Sequence, residues 1–249
     1  MSTTRLALNP TLDASMLVDA YQQRKRIQIR EFLESGSAET ALKELEKLPW
    51  GLAYKEGTRV VELYAAAVAR LDNREAAEIM ARIREQARTS YQFFYAYYPI
   101  LTAYFSPEVP RQPIFDLYEF INSQPVLDLV REVTGLPGIS WADAQATCFK
   151  PGHFLKAHND ELPAESRLAA YVMNFTKDWD HDGGGFLQFF DERGDIEQAL
   201  KPAFNALNIF TVPQLHSVSM VSTWVTAKRM SMTGWFRSDS PPGPIGNRT

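Results

Sequence analysis

Phe149-Lys-Pro-Gly-His-Phe-Leu-Lys-Ala-His-Asn-Asp160 is the stretch from which the rest of the chain is best read. Pro151-Gly152 marks a turn, and Phe154 to His158 then continues without helical periodicity, as a strand would. Side chains two apart in an extended segment share a side. A strand running to its end at Asp160 therefore aims the His158 imidazole and the Asp160 carboxylate at one point. The segment Phe210-Thr-Val-Pro-Gln-Leu-His216-Ser-Val offers a second imidazole for the same point.

Around this stretch the chain changes character. After Pro137-Gly138, short apolar runs at about 141–150, 153–158, 168–176, 185–190, 206–211, 216–221 and 228–237 alternate with turn residues. Many short strands without regular intervening helices argue for a sandwich, jelly roll or barrel rather than a doubly wound sheet. Before residue 140 the pattern is mostly helical. Helices are expected at 11–22, from Ala38 to Leu48, from Asn73 to Arg88, and at 114–122 and 125–134, the last closed by Gly135 as its cap. A half-buried strand is expected where Ile27 and Ile29 alternate with Arg26, Gln28 and Arg30, and another around Val60-Val61. The whole reads as one α+β domain over 1–249: a mostly helical part to 140, a β core with the site over 141–237, and a turn-rich, flexible tail over 238–249. The aromatic run Tyr91-Gln-Phe-Phe-Tyr-Ala-Tyr-Tyr98 can fill core or line a pocket, and spacing does not separate the two.

Bulk properties set the frame. The net charge of −4 gives no reason to expect nucleic acid as a partner. Arg24-Lys-Arg26 is the one local basic cluster, and a solvated strand edge is its plainer reading. A single cysteine, Cys148, excludes an intrachain disulfide and a cysteine-based metal site. In an apolar run it reads as a small buried hydrophobe, with a nucleophile as the alternative. Neither a signal peptide nor an 18-residue apolar span is visible, so a cytoplasmic protein without membrane segments is expected.

Two histidines and one carboxylate on one face of a metal are the ligand set of non-haem Fe(II) oxygenases. The spacing alone is weak, because His153, or His181 with Asp180 or Asp182, could supply ligands in another register. The run Ala227-Lys-Arg-Met-Ser-Met-Thr-Gly-Trp-Phe-Arg237 adds weight. Read as a strand, it puts Arg229, Ser231, Thr233 and Trp235 on one face and Met230 and Met232 on the other. A buried arginine is costly unless it meets an anion. A guanidinium fork fits the far end of a dicarboxylate, and a protein Asp or Glu is the competing partner. Lys228 could substitute for Arg229, but strand register places it with the methionines. Gly183-Gly-Gly185 has no phosphate-loop context and reads as a tight turn.

His158-x-Asp160, Gly184-Gly185-Phe-Leu-Gln-Phe-Phe190, His216, and Arg229 ahead of Gly234-Trp-Phe together resemble the prolyl hydroxylase group of 2-oxoglutarate- and Fe(II)-dependent oxygenases. The resemblance covers about 145–237, with Pro151-Gly152-x-Phe-Leu as its lead-in. Asn174-Phe-Thr-Lys-Asp-Trp-Asp180 is similar to the matching stretch of oxygen-sensing prolyl hydroxylases. The chain as a whole looks more like the ribosomal-protein prolyl hydroxylases and their bacterial relatives. The resemblance implies a double-stranded β-helix, a jelly roll with supporting N-terminal helices. It implies that His158, Asp160 and His216 hold Fe(II), that Arg229 binds the distal carboxylate of 2-oxoglutarate, and that Thr233 lies beside this cosubstrate. Asn174 stands where the oxygen sensors carry a tyrosine that assists the arginine, and Lys150 where they carry another.

The implied reaction consumes 2-oxoglutarate and O2, releases succinate and CO2, and hydroxylates a prolyl residue of a protein or peptide. A hydroxylase of a free amino acid or other small metabolite is the second reading. A non-catalytic jelly-roll metal-binding module is the third, and it alone forms no succinate with any substrate.

Overall fold

The computed structural model describes residues 6–162 and 166–246. Its N-terminal half alternates helices with strands. Helix α1 (Ala14–Arg24) begins where the Asp13 side chain accepts hydrogen bonds from the amides of Ser15 and Met16, and stops at Lys25 in the left-handed region. Strand β1 (Arg26–Arg30) follows, then α2 (Ser35–Glu46), whose Ala38, Ala41, Leu42 and Leu45 are buried at helical spacing. The hairpin β2 (Gly51–Glu56) and β3 (Arg59–Leu63) leads through the single turn α3 (Ala65–Val68) into α4 (Asn73–Thr89), which opens on a reciprocal Asp72–Glu75 capping box. The aromatic run becomes strand β4 (Phe93–Tyr98). Helices α5 (Ile100–Phe105), α6 (Ile114–Ile121) and α7 (Gln124–Thr134) complete this half, and Gly135, at φ 69°, ends the last of them.

The second half is all strand: β5 (Trp141–Ala142), β6 (Gln145–Phe149), β7 (Phe154–His158), β8 (Arg167–Phe175), β9 (Leu187–Phe190), β10 (Ile196–Leu200), β11 (Phe204–Thr211), β12 (His216–Val218) and β13 (Arg229–Arg237). All pairings are antiparallel, in the order β1-β11-β8-β13-β6-β4-β7-β12-β9-β10, with β2, β3 and β5 off this path. This is the jelly-roll architecture expected of the sequence. One strand serves both walls of the roll. Ala96 to Tyr98 of β4 pair with β6, while Phe93 and Phe94 pair with β7.

Alternation decides what each wall faces. On β8, Ala169, Tyr171, Met173 and Phe175 pack outward with Met230, Met232 and Phe236 of β13 and with buried residues of α2, α6 and α7, in one continuous core. The intervening Ala170 and Val172 point into the roll. The N-terminal half is therefore less helical than expected, since β1 to β4 extend the same sheet. Strand β10 is absent from the sequence expectation. Its Glu, Gln, Ala and Leu favour helix, and it is an edge strand with Ile196 exposed, so pairing to β9 overrides propensity. The tail read as flexible from 238 is held up to Gly246. Ile245 packs on the core, the Gly246 amide donates to the Tyr104 hydroxyl at 2.9 Å, and Trp141 Nε1 donates to Asp239. Residues 247–249 lie outside the described residues. No helix of the described residues is long and apolar enough to cross a membrane.

Candidate metal and dicarboxylate site

The register of β7 and β12 sets His158 opposite His216, with ring centroids 4.2 Å apart. Each ring is tied from behind. His158 Nδ1 lies 2.9 Å from the Lys156 carbonyl and His216 Nδ1 lies 2.8 Å from the Gln214 carbonyl. An N–H at Nδ1 satisfies both contacts and leaves the Nε2 lone pairs facing inward. They meet the Asp160 carboxylate, with His158 Nε2 3.2 Å from one oxygen and His216 Nε2 3.5 Å from the other. Asp160 arrives differently from the sequence expectation. The strand ends at His158, and Asp160 adopts φ 61°, so a left-handed turn rather than strand alternation brings the carboxylate back.

The electrostatics suit a cation. Burial raises the Asp160 pKa, but contact with His158 and the positive charge that either imidazole carries when protonated outweigh it, and the carboxyl titrates below its usual value. Burial, with His158 beside it, pushes His216 down to about 4 against the opposing pull of Asp160. At neutral pH the cluster thus offers a neutral imidazole and an ionised carboxylate, the states in which such groups bind metals. One ligand atom from each of the three residues lies within 4.8 Å of the others. Lone pairs converging at that spacing fit one divalent cation held by a single face.

The cluster borders a cavity of about 640 Å³ between the walls of the roll, and Arg229, Ser231 and Thr233 of β13 line it too. Arg229 is 2% exposed. Among the described residues it makes no ion pair, and its Nε has no hydrogen-bond partner. The guanidinium sits over the Phe149 ring, and burial lowers its pKa to about 10. The competing expectation, a protein carboxylate paired with Arg229, finds no support in this geometry. Thr147 and Ser231 share a hydrogen bond of 2.8 Å in the same lining, and Thr233 donates to the Tyr171 carbonyl.

An aromatic ladder forms another wall. Tyr91, Phe93 and Tyr95 line the cavity, and Tyr95 stacks on Phe149 at 5.2 Å. Tyr91, at the mouth, is 5.5 Å from the His158 ring. Phe94, Ala96 and Tyr98 face the opposite way into core clusters, so the run both fills core and lines the pocket. Burial pushes the Tyr95 hydroxyl up to about 12, leaving it a proton donor at neutral pH.

The remaining candidates lie elsewhere. His153 is buried against Phe94 with Nδ1 3.3 Å from the Cys148 carbonyl, and His181, Asp180 and Asp182 are exposed. Lys150 and Lys228 are exposed, and Cys148 is buried with its thiol pKa raised by burial. Asn174 is fully buried opposite Ser231, beyond the cavity lining. Arg24 is exposed but Arg26 is buried, so the basic cluster is not a continuous charged surface. Sequence reading passed over Thr147, Gln145, Arg167 and the hairpin residues Lys55, Thr58 and Glu62, all of which line the cavity. Only strand parity on β6 signals the first two.

Two imidazoles and a carboxylate facing a cavity, with an arginine in its wall that makes no ion pair among the described residues, match the ligand set of non-haem iron oxygenases. Residues 144–237 match the family model described as the 2OG-Fe(II) oxygenase superfamily. The matched segment contains His158, Asp160, His216 and Arg229, the residues that build the centre. Over 97 residues, 36% of this chain, it is 35% identical to mouse prolyl 3-hydroxylase OGFOD1. The match spans only 17% of that relative. A Pseudomonas putida prolyl-4-hydroxylase superposes with a TM-score of 0.56 at 18% identity, over 92% of this chain and 100% of that one. A Trichoplax adhaerens prolyl hydroxylase, solved with a hypoxia inducible factor peptide fragment, gives 0.59 at 15% identity over 90% and 89%. At these identities the likeness is one of fold.

Proposed function

We propose that the chain hydroxylates a prolyl residue of a protein or peptide, with His158, Asp160 and His216 holding Fe(II) and Arg229 taking the distal carboxylate of 2-oxoglutarate. The observation that carries the reading is Arg229, a buried guanidinium that meets no protein anion among the described residues, in the cavity that the three proposed ligand residues border. Bound iron would supply the oxidative decarboxylation of 2-oxoglutarate by O2 and the transfer of one oxygen to a C–H bond.

The chain's residues do the rest. The Lys156 and Gln214 carbonyls fix both imidazole tautomers, so that the Nε2 atoms are the ligands. The Arg229 fork, backed by Phe149, orients the dicarboxylate. Thr233 and the Thr147–Ser231 pair border it, and Asn174 closes the polar end behind Ser231. Tyr91, Phe93 and Tyr95 keep water from the reacting centre and offer flat faces to a pyrrolidine ring. The mouse prolyl 3-hydroxylase and the peptide-bound Trichoplax enzyme support a protein substrate over a free metabolite.

The test incubates iron-replete protein with 2-oxoglutarate, O2 and either a proline-containing peptide library or a panel of free amino acids. Succinate formed in step with oxygen gain on a peptide proline is the expected result. Coupling only to free amino acids would replace the substrate class. No succinate from either panel would leave a metal-binding module.

A further inference from the structure

We infer that Arg26 is a positioning residue for the metal ligand His216, acting from outside the segment that matches the oxygenase family. Strands β1 and β10 are the two ends of the sheet path, and Arg26 joins them. It is 8% exposed. Its Nε donates to Gln198 at 2.7 Å, its Nη2 donates to Glu197, and its Nη1 donates to the Gln214 side-chain oxygen at 3.1 Å. The Gln214 amide nitrogen donates in turn to the Lys25 carbonyl at 2.9 Å. Residues 25 and 26 therefore grip the Gln214 side chain at both of its polar atoms. The Gln214 carbonyl is the one that faces His216 Nδ1.

A second contact runs in parallel. The Arg26 guanidinium lies 4.5 Å above the centre of the Phe189 ring, and Phe189 is paired with His216 across β9 and β12. Arg26 itself pairs with Phe210, whose ring meets the His216 ring edge to face at 4.6 Å. Arg26 thus bears on the carbonyl that fixes the His216 tautomer and on the two rings that flank it. Outer partners of a ligating histidine commonly carry about 10–100-fold in metal affinity. Here that partner is a backbone carbonyl, so its orientation depends on whatever holds residue 214.

This rests on the metal reading of the cluster, and the test separates the two. Co(II) affinity is measured by visible-absorption titration of the full chain, well below the lowest melting midpoint. The variants are Arg26→Met, Arg26→Lys, Gln214→Ala, Arg26→Met with Gln214→Ala, and Glu197→Gln. Arg26→Met and Gln214→Ala should each weaken Co(II) binding by about 10–100-fold. The double variant should be no weaker than the worse single one, because both break one chain of contacts. Arg26→Lys, which keeps one donor for Gln214, should recover part of the loss. Glu197→Gln should lower the melting midpoint and leave Co(II) affinity unchanged. Wild-type affinity in both single variants, or additive losses in the double, overturns the inference. If Arg26→Met does not fold, Gln214→Ala decides the matter. A wild-type chain that takes up no Co(II) removes the metal reading and this inference with it.

Discussion

Arg229 and Phe149 face each other across the β6–β13 pair, with the guanidinium carbon 4.8 Å from the ring centre. The ring contributes on the order of 2 kcal/mol to a desolvated cation. Desolvation costs several kcal/mol per ion. The charge is therefore a net liability to the apoprotein, which the proposed dicarboxylate would relieve. Arg229→Met should melt at or above the wild-type midpoint as apoprotein. With metal already bound to both proteins, 2-oxoglutarate at about a hundred times its wild-type Kd should stabilise wild type by about 2.7 kcal/mol and the variant much less. A marked loss of apo stability would reveal a structural anion for Arg229 instead.

Asp160 combines a left-handed backbone with the carboxylate proposed as a metal ligand. Asparagine tolerates that backbone region, so Asp160→Asn should fold with a wild-type circular dichroism spectrum. Its Fe(II) affinity should fall by more than the roughly 10–100-fold that an outer partner costs. Retained affinity would move the metal away from this cluster.

His153 supplies a pH dependence separate from the metal. Burial, opposed by the Cys148 carbonyl and aided by the charge of Lys150, pushes it down to about 4. Between its ordinary pKa of about 6.5 and that value, the unfolded chain binds the proton and the folded chain does not. Its contribution is present above about pH 6.5 and is lost as pH falls toward 4, by roughly 2–3 kcal/mol at most. As pH falls from 7 to 4, the urea midpoint of wild type should drop relative to that of His153→Leu. Parallel curves would show that His153 is not the titrating group.

Gly234 lets β13 pass the segment ahead of β6. A Cβ there would stand 2.2 Å from the Asp143 carbonyl oxygen and 2.5 Å from its carboxylate. Asp143 is itself held, accepting from the Trp235 amide at 2.7 Å and from Arg237 at 3.2 Å, so it cannot yield cheaply. Gly234→Ala should cost about 3 kcal/mol or more, in the upper range for single substitutions. A melting midpoint near wild type would mean that this register is softer than the contacts suggest.

The candidate ligands were legible because their signal is local. The Arg229 strand alternates arginine and hydroxyls with methionines, so parity alone put Arg229, Ser231 and Thr233 on the cavity side. The conformation of Asp160 was not legible, since a left-handed turn and a continuing strand share one sequence. The aromatic run hid its own parity: with nearly every position an aromatic ring, a period of two leaves no contrast to read. Arg26 was hidden by its neighbours, because a basic trio looks like surface whether or not one member turns inward. Such contacts depend on partners about 170 to 190 residues away, which no local window spans.

Strand β4 pairs with the strand of His158 at one end and with the strand opposite Arg229 at the other. It works as a ruler laid between the two halves of the centre. If the cluster holds a metal and Arg229 its dicarboxylate, as proposed, the span between them is gauged partly by residues 93–98, upstream of the matched 144–237 segment. On that proposal, a change in the bend of β4 would retune which 2-oxo acid fits while leaving His158, Asp160, His216 and Arg229 themselves untouched.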